Sequence, residues 1–258
     1  MALHMASGDI LVGLLKPDGT VDYWRDLKEA PLFEVSLKVD KEEDYETSSG
    51  LNKQILSAIT KQTAELSITL KEPTADNISF MCYGTDPQTI AAATKTARPF
   101  PTGLVAGKIY SLPDDMTGIA DAGLAIVDSA GTPRTLVKGT DYILDQTFGT
   151  IIFNQSAITG SVQPFKISGQ IAGETINTLF SKTPANMAVR LHVRNRANNF
   201  SKEIWEFYNC QFDPTDKLTG KSKSPAEFQI KGAILADTTK PNDGVFGQFG
   251  RIRKLNAA

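Results

Sequence analysis

Four basic residues at alternate positions, Arg190, His192, Arg194 and Arg196, form the most conspicuous array of chemically capable side chains in this sequence. On a strand the period of two places all four on one face, with Leu191 and Val193 on the other. Such a stripe contacts phosphates or an acidic protein surface, or it lies in solvent as an outer face. The chain supplies an acidic candidate of its own. Asp40, Glu42, Glu43, Asp44 and Glu46 crowd one stretch, and Leu51, Ile55, Leu56 and Ile59 follow them.

Catalytic patterns are missing where they would be expected. There is no Gly-x-Ser-x-Gly elbow, and a nucleophile–His–Asp triad would have to use His4 or His192, the only histidines. Gly220-Lys221-Ser222 has the ending of a phosphate-binding loop, but Thr215 stands where its first glycine belongs. Gly244, Gly247 and Gly250 recur every three residues rather than as a dinucleotide fingerprint, which suggests a flexible arm carrying Phe246 and Phe249. Carboxylates such as Asp114, Asp115, Asp141 and Asp145 sit in turn-forming company without the spacing of a calcium loop. Cys82 falls on an apolar helix face and Cys210 in an aromatic strand, so both are expected in the core. Neither a catalytic residue nor a cofactor or metal ligand is expected.

The elements that must position these residues are mostly strands. Phe33, Val35, Leu37 and Val39 alternate with Glu34, Ser36, Lys38 and Asp40. Ala64, Leu66, Ile68 and Leu70 repeat the pattern, as do Phe228, Ile230 and Ile234, and Phe165, Ile167 and Ile171. One-sided alternation predicts antiparallel sheets with a dry face. Thr74 is placed to cap a helix over Ala75–Tyr83, with Ile78, Met81 and Cys82 on its apolar face and Gly84 as its stop. A second, weaker helical pattern covers Gln88–Thr96. From Gly103 to Gly173, short apolar runs alternate with turns, including Leu124–Val127, Pro133–Lys138 and the pair Ile143–Asp145 and Thr150–Phe153. That texture is a β-meander, either inserted into the core or continuous with it.

Asp40–Gln62 separates two strands that otherwise look like hairpin partners. Structureless loops of that length are uncommon and usually functional. Its apolar residues either fold back on their own core, belong to strands that run longer than the alternation suggests, or are covered by another subunit.

Length and composition agree with a globular protein. The chain has 258 residues, 41% of them hydrophobic, and its 27 Lys and Arg against 29 Asp and Glu leave a net charge of −2. A near-neutral balance argues against a protein built to grip nucleic acid, and two cysteines make no disulfide framework. No apolar run is long enough to span a membrane, and the N-terminal region lacks the basic start of a secretory signal. One domain over 1–258 is expected. Its core takes about 1–102 and 174–258, with 103–173 as the meander.

Phe33–Gly84 resembles the major tail tube proteins of long-tailed bacteriophages. The resemblance lies in the strand ending Val-Asp-Lys-Glu, the Glu-Thr-Ser-Ser-Gly-Leu loop, the strand Thr63–Leu70, and Glu-Pro-Thr-Ala-Asp-Asn-Ile leading into a helix that ends at Tyr83-Gly84. The hairpin from Gly139-Thr140-Asp141-Tyr142 to Gly149-Thr150-Ile151-Ile152-Phe153 is similar to a unit common in such phage proteins. These stretches span about half the chain.

The resemblance implies a mainly β, antiparallel sandwich or barrel-like tail-tube fold with one short α-helix and a long hairpin loop. It implies assembly into hexameric rings, stacked as a hollow tube in the virion through which double-stranded DNA is ejected without specific binding. The subunits would be made in the host cytoplasm, and the other partners would be the tape measure and tail-end proteins, with no membrane. The expected subunit interface takes Glu42, Glu43, Asp44, Glu46, Leu51, Ile55, Leu56 and Ile59 from the loop, Arg190, Arg194 and Arg196 from the basic stripe, and Phe246 and Phe249 from the C-terminal arm. A baseplate or terminator protein of the tail is one alternative. A monomeric carbohydrate-binding or adhesive β-sandwich is another, and it would display Trp24 or Trp205 as an aromatic platform.

Overall fold

The structure, a computed structural model, describes residues 6–46, 53–197 and 201–255. In chain order the strands and helices are β1 (Ala6–Leu15), β2 (Val21–Asp26), β3 (Leu32–Tyr45), β4 (Gln54–Leu70), α1 (Ala75–Met81), β5 (Gln88–Ile90), β6 (Ala93–Pro99), β7 (Ile109–Ser111), β8 (Ala125–Val127), β9 (Tyr142–Asp145), β10 (Thr150–Phe153), α2 (Gln155–Gly160), β11 (Lys166–Ile171), β12 (Glu174–Ile176), β13 (Asn186–Asn195), β14 (Ser201–Phe212), β15 (Phe228–Ile234) and β16 (Gly250–Leu255). The protein is mainly β, and every ladder between these strands is antiparallel. The chain divides into two compact units, one up to Pro87 and from Asn177 onward, the other Gln88–Ile176. The expected meander of 103–173 is therefore wider than its turn-rich texture suggests.

The first unit is built on one eight-stranded sheet in the order β2-β1-β13-β14-β15-β4-β3, with β16 also pairing β14. No ladder among the described residues joins its two outer strands. The alternation of the sequence explains its dry face: Ala64, Leu66, Ile68 and Leu70 are buried on β4, and Phe228, Ile230 and Ile234 on the adjacent β15. Thr74 caps α1 as expected, its hydroxyl accepting the Asn77 N–H at 3.2 Å. Met81 and Cys82 join the same core, as does Cys210. Asn77 is buried too, and its amide donates to the Leu27 and Glu72 carbonyls at 3.0 Å each. That satisfied polar group stitches the helix to the end of β2.

The second unit has its own core. Phe153 is fully buried, with its ring centroid 5.3 Å from that of Phe100 and 4.9 Å from that of Phe165. Around it lie the sheets β7-β10-β9 and β6-β11-β8 and the pair β12-β5. The hairpin of β9 and β10 forms with Tyr142 opposite Phe153. Gly149 closes it at φ +64°, where an added Cβ would lie 2.1 Å from the Met116 carbonyl oxygen, so only glycine fits.

Three expectations are corrected here. Gln88–Thr96 is not helical; it contributes β5 and the start of β6. Thr89, Ile90, Thr94 and Thr96 are β-branched, and pairing with β12 and β11 outweighs the helical preference of the alanines. Pro133–Lys138 is no full strand, holding only single bridges at Thr135 and Lys138. A second short helix, α2, adds to the one expected, with Ala157 buried.

Candidate functional site

The excursion between the two hairpin strands is largely strand. β3 and β4 stay paired from Leu32 opposite Thr69 out to Tyr45 opposite Gln54, with irregularities after Asp40 and Asp44. β15 covers β4 only from Ala64 to Leu70. Beyond that point β3 and β4 continue as a two-stranded arm, roughly 30 Å long at about 3.4 Å per residue. Both of its faces are exposed: Leu37 is 76% accessible, Ile55 61%, Ile59 58% and Leu56 53%. The strands run on because β-branched and apolar residues remain frequent past the sheet, while the charged residues need water that a third strand would remove. Leu51, also expected at an interface, lies outside the described residues.

Register orders the arm's chemistry. Glu42 stands opposite Ala58, Asp44 opposite Leu56 and Glu43 opposite Ser57. The Tyr45 hydroxyl donates to Glu43 at 2.7 Å. Glu46 lies just past β3, its N–H bonded to the Lys53 carbonyl at 2.8 Å.

The basic stripe is shorter and less free than its spacing suggests. Arg190, His192 and Arg194 share one face of β13, but Arg196 lies past the strand end in an exposed turn. Arg190 sits opposite Glu206 of β14 and bonds its carboxylate. The same carboxylate takes Arg251 Nε at 2.7 Å and Arg253 Nη2 at 2.9 Å from β16. Burial pushes the Glu206 carboxyl up, but hydrogen bonds from Arg190 and Arg251 and the charges of Arg190 and Arg253 outweigh it and hold it below its ordinary value. Trp24 and Phe246 complete the row, 5.3 Å below the Arg190 guanidinium and 4.4 Å below that of Arg251.

Arg190, expected at a subunit interface, thus already has Glu206 as a partner within the chain. Arg194 stays exposed opposite Lys202. The C-terminal segment is likewise less free than its glycines suggest: β16 pairs β14 from Gly250 to Leu255, and Phe249 packs on the core. Glu206, Arg251 and Arg253 were missed from sequence, and Trp24 was singled out only as an aromatic platform. The alternation Arg251-Ile252-Arg253 was the available signal, and nothing in it named the strand opposite.

Between the base of the arm and β16 lies a largely apolar cleft of about 720 Å³, walled by Val35, Leu37, Trp205, Phe249 and Ile252. A second cleft of about 250 Å³ lies between β2, α1 and the 182–187 segment and contains Arg25 and Phe80. Among the described residues no three His, Cys, Asp or Glu side chains gather to hold a metal ion, and no helix is long and apolar enough to cross a membrane.

A family model, that of protein of unknown function UCP028589, matches residues 3–253. No curated protein matches the chain.

Proposed function

We propose a structural, self-assembling role for this chain, which belongs to the UCP028589 family. Its subunits associate as the resemblance to phage tail tube proteins implies, into hexameric rings stacked as the hollow tube of a virion, with the tape measure and tail-end proteins as further partners. The role is non-enzymatic.

The observation that carries this reading is the arm. A two-stranded ribbon is marginal in water by itself, and this one exposes Leu37 at its base and Ile55, Leu56 and Ile59 beyond the sheet. Each such side chain contributes roughly 1.5–3 kcal/mol when buried, so covering the arm with another copy offers a large stabilisation. A net charge of −2 suits passage of DNA, since duplex carries one negative charge per about 1.7 Å and a strongly basic wall would hold it.

Sedimentation velocity over a wide concentration range, with negative-stain microscopy of the same samples, tests the proposal. Rings or tubes growing with concentration are expected. A strictly monomeric profile at high concentration and physiological salt, or tight DNA binding, overturns it.

A further inference from the structure

Of the half-buried arginines among the described residues, Arg25 is the one without a carboxylate within ion-pair distance. Arg190, Arg251 and Arg253 share Glu206, and the more exposed Arg134 has Asp141. The exposed Arg98 holds Asp114, while Arg194 and Arg196 stand in water. Arg25 instead stacks on Phe80, its guanidinium carbon 5.1 Å from the ring centroid, and Nη1 donates to the Asp76 backbone carbonyl at 3.0 Å. Arg25 lines the cleft of about 250 Å³, whose wall includes Leu14, Tyr23 and Met187 as well as Asp76 and Asp86. Lys182 and Asp86 neutralise each other at the same cleft, 2.8 Å apart. Burial opposes the guanidinium charge there and outweighs the charges of Asp76 and Asp86, which line the same cleft and favour it without reaching ion-pair distance. A desolvated cation beside an apolar hollow is complementary to a carboxylate carried next to an aliphatic group.

The arm carries that combination. Asp44 and Leu56 are directly opposed across β3 and β4, so they project side by side. Leu56 is 53% accessible, and Asp44 has no ion pair among the described residues. We infer that the arm of one copy docks on a second copy at this cleft, Leu56 entering beside Phe80 and Leu14 while Asp44 meets Arg25. The inference rests on the self-association proposed above and names its receiving site, which is Arg25 rather than the Arg190 stripe.

A charge exchange tests it. Wild type, Arg25→Glu, Asp44→Lys and the double variant are compared by sedimentation and microscopy at about 0.05 and 0.5 M salt, with circular dichroism as the fold control. Each single variant is expected to weaken association at least about tenfold at low salt, and the double to recover to within about threefold of wild type. Singles that assemble like wild type, or a double no better than the singles, overturn the inference while leaving self-assembly standing. A monomeric wild type overturns the proposed function itself, and this inference with it. If Arg25→Glu loses its β signal, Arg25→Gln replaces it: weakened association at low salt that Asp44→Lys does not weaken much further is expected, and association like wild type overturns the inference.

Discussion

Arg190 of β13 and Glu206 of β14 are cross-strand partners, and that pairing sets how much of the protein's positive face is available to other molecules. One carboxylate, 7% exposed, is shared by three guanidiniums. It joins β13, β14 and β16 through side chains as well as through their ladders, so the row is a structural clamp first.

Glu206→Gln is therefore expected to destabilise the first unit by about 2–4 kcal/mol, because three arginines lose their common counter-charge. Urea unfolding at pH 7 measures it. The Glu206 carboxyl is held below its ordinary value, so its contribution is complete above the unfolded-state value and fades as pH falls through the lower folded value. The gap between wild type and variant should close in acid; a gap constant to pH 3 would contradict the clamp.

Ile55→Ser combined with Leu56→Ser should remove ring or tube growth while leaving stability within about 0.5 kcal/mol, since both side chains are already in water in the single subunit. Reversing Glu42 and Glu43 to Lys should weaken assembly less, and mainly at low salt. Microscopy and circular dichroism on the same preparations separate the outcomes. Unfolding of the double serine variant would place these residues in the subunit's own core.

In the second unit, Asp141 is fully buried; its two carboxylate oxygens share Arg134 Nη2 at 2.9 and 2.8 Å, and it accepts the Val137 N–H at 2.9 Å. The Val137 N–H leads in lowering its carboxyl, with Ser156 and Arg134 adding to the effect against burial. Asp141→Asn should reduce amide exchange protection of Leu144 and Ile151 at least about tenfold at neutral pH. The stability this carboxylate supplies is present above its unfolded-state value and disappears below its folded one, so the same protection should fall in wild type on acidification.

Cys210 is buried, and desolvation pushes its thiol up to about 12; Cys82 is raised by the same cause. Neither should react with an aromatic disulfide reagent at pH 8 within minutes in the native protein, whereas both should react at once in urea. Prompt native labelling of Cys210 would place it outside the core.

The sequence by itself determined the elements whose order is local. The alternations at 33–39, 64–70 and 228–234 became strands of one sheet, Thr74 capped its helix, and Gly149 closed the 142–153 hairpin, because burial periodicity, capping and turn chemistry act within a few residues. The tertiary structure alone decided what pairs at long range. Whether Asp40–Gln62 was a loop or two lengthened strands depended on the β3–β4 register and on β15 stopping at Ala64. The alanine-dense 88–96 became strand because β11 and β12 were there to bond it. The four-residue basic stripe was visible in the sequence, but the pairing of its Arg190 with Glu206 required β14 alongside, and the setting of Arg25, stacked on Phe80 with Asp76 and Asp86 in its cleft but outside ion-pair contact, required the assembled fold. Charge and spacing are written along the chain; which charges meet is set by the fold, because a Coulomb contact depends on distance in space rather than in sequence.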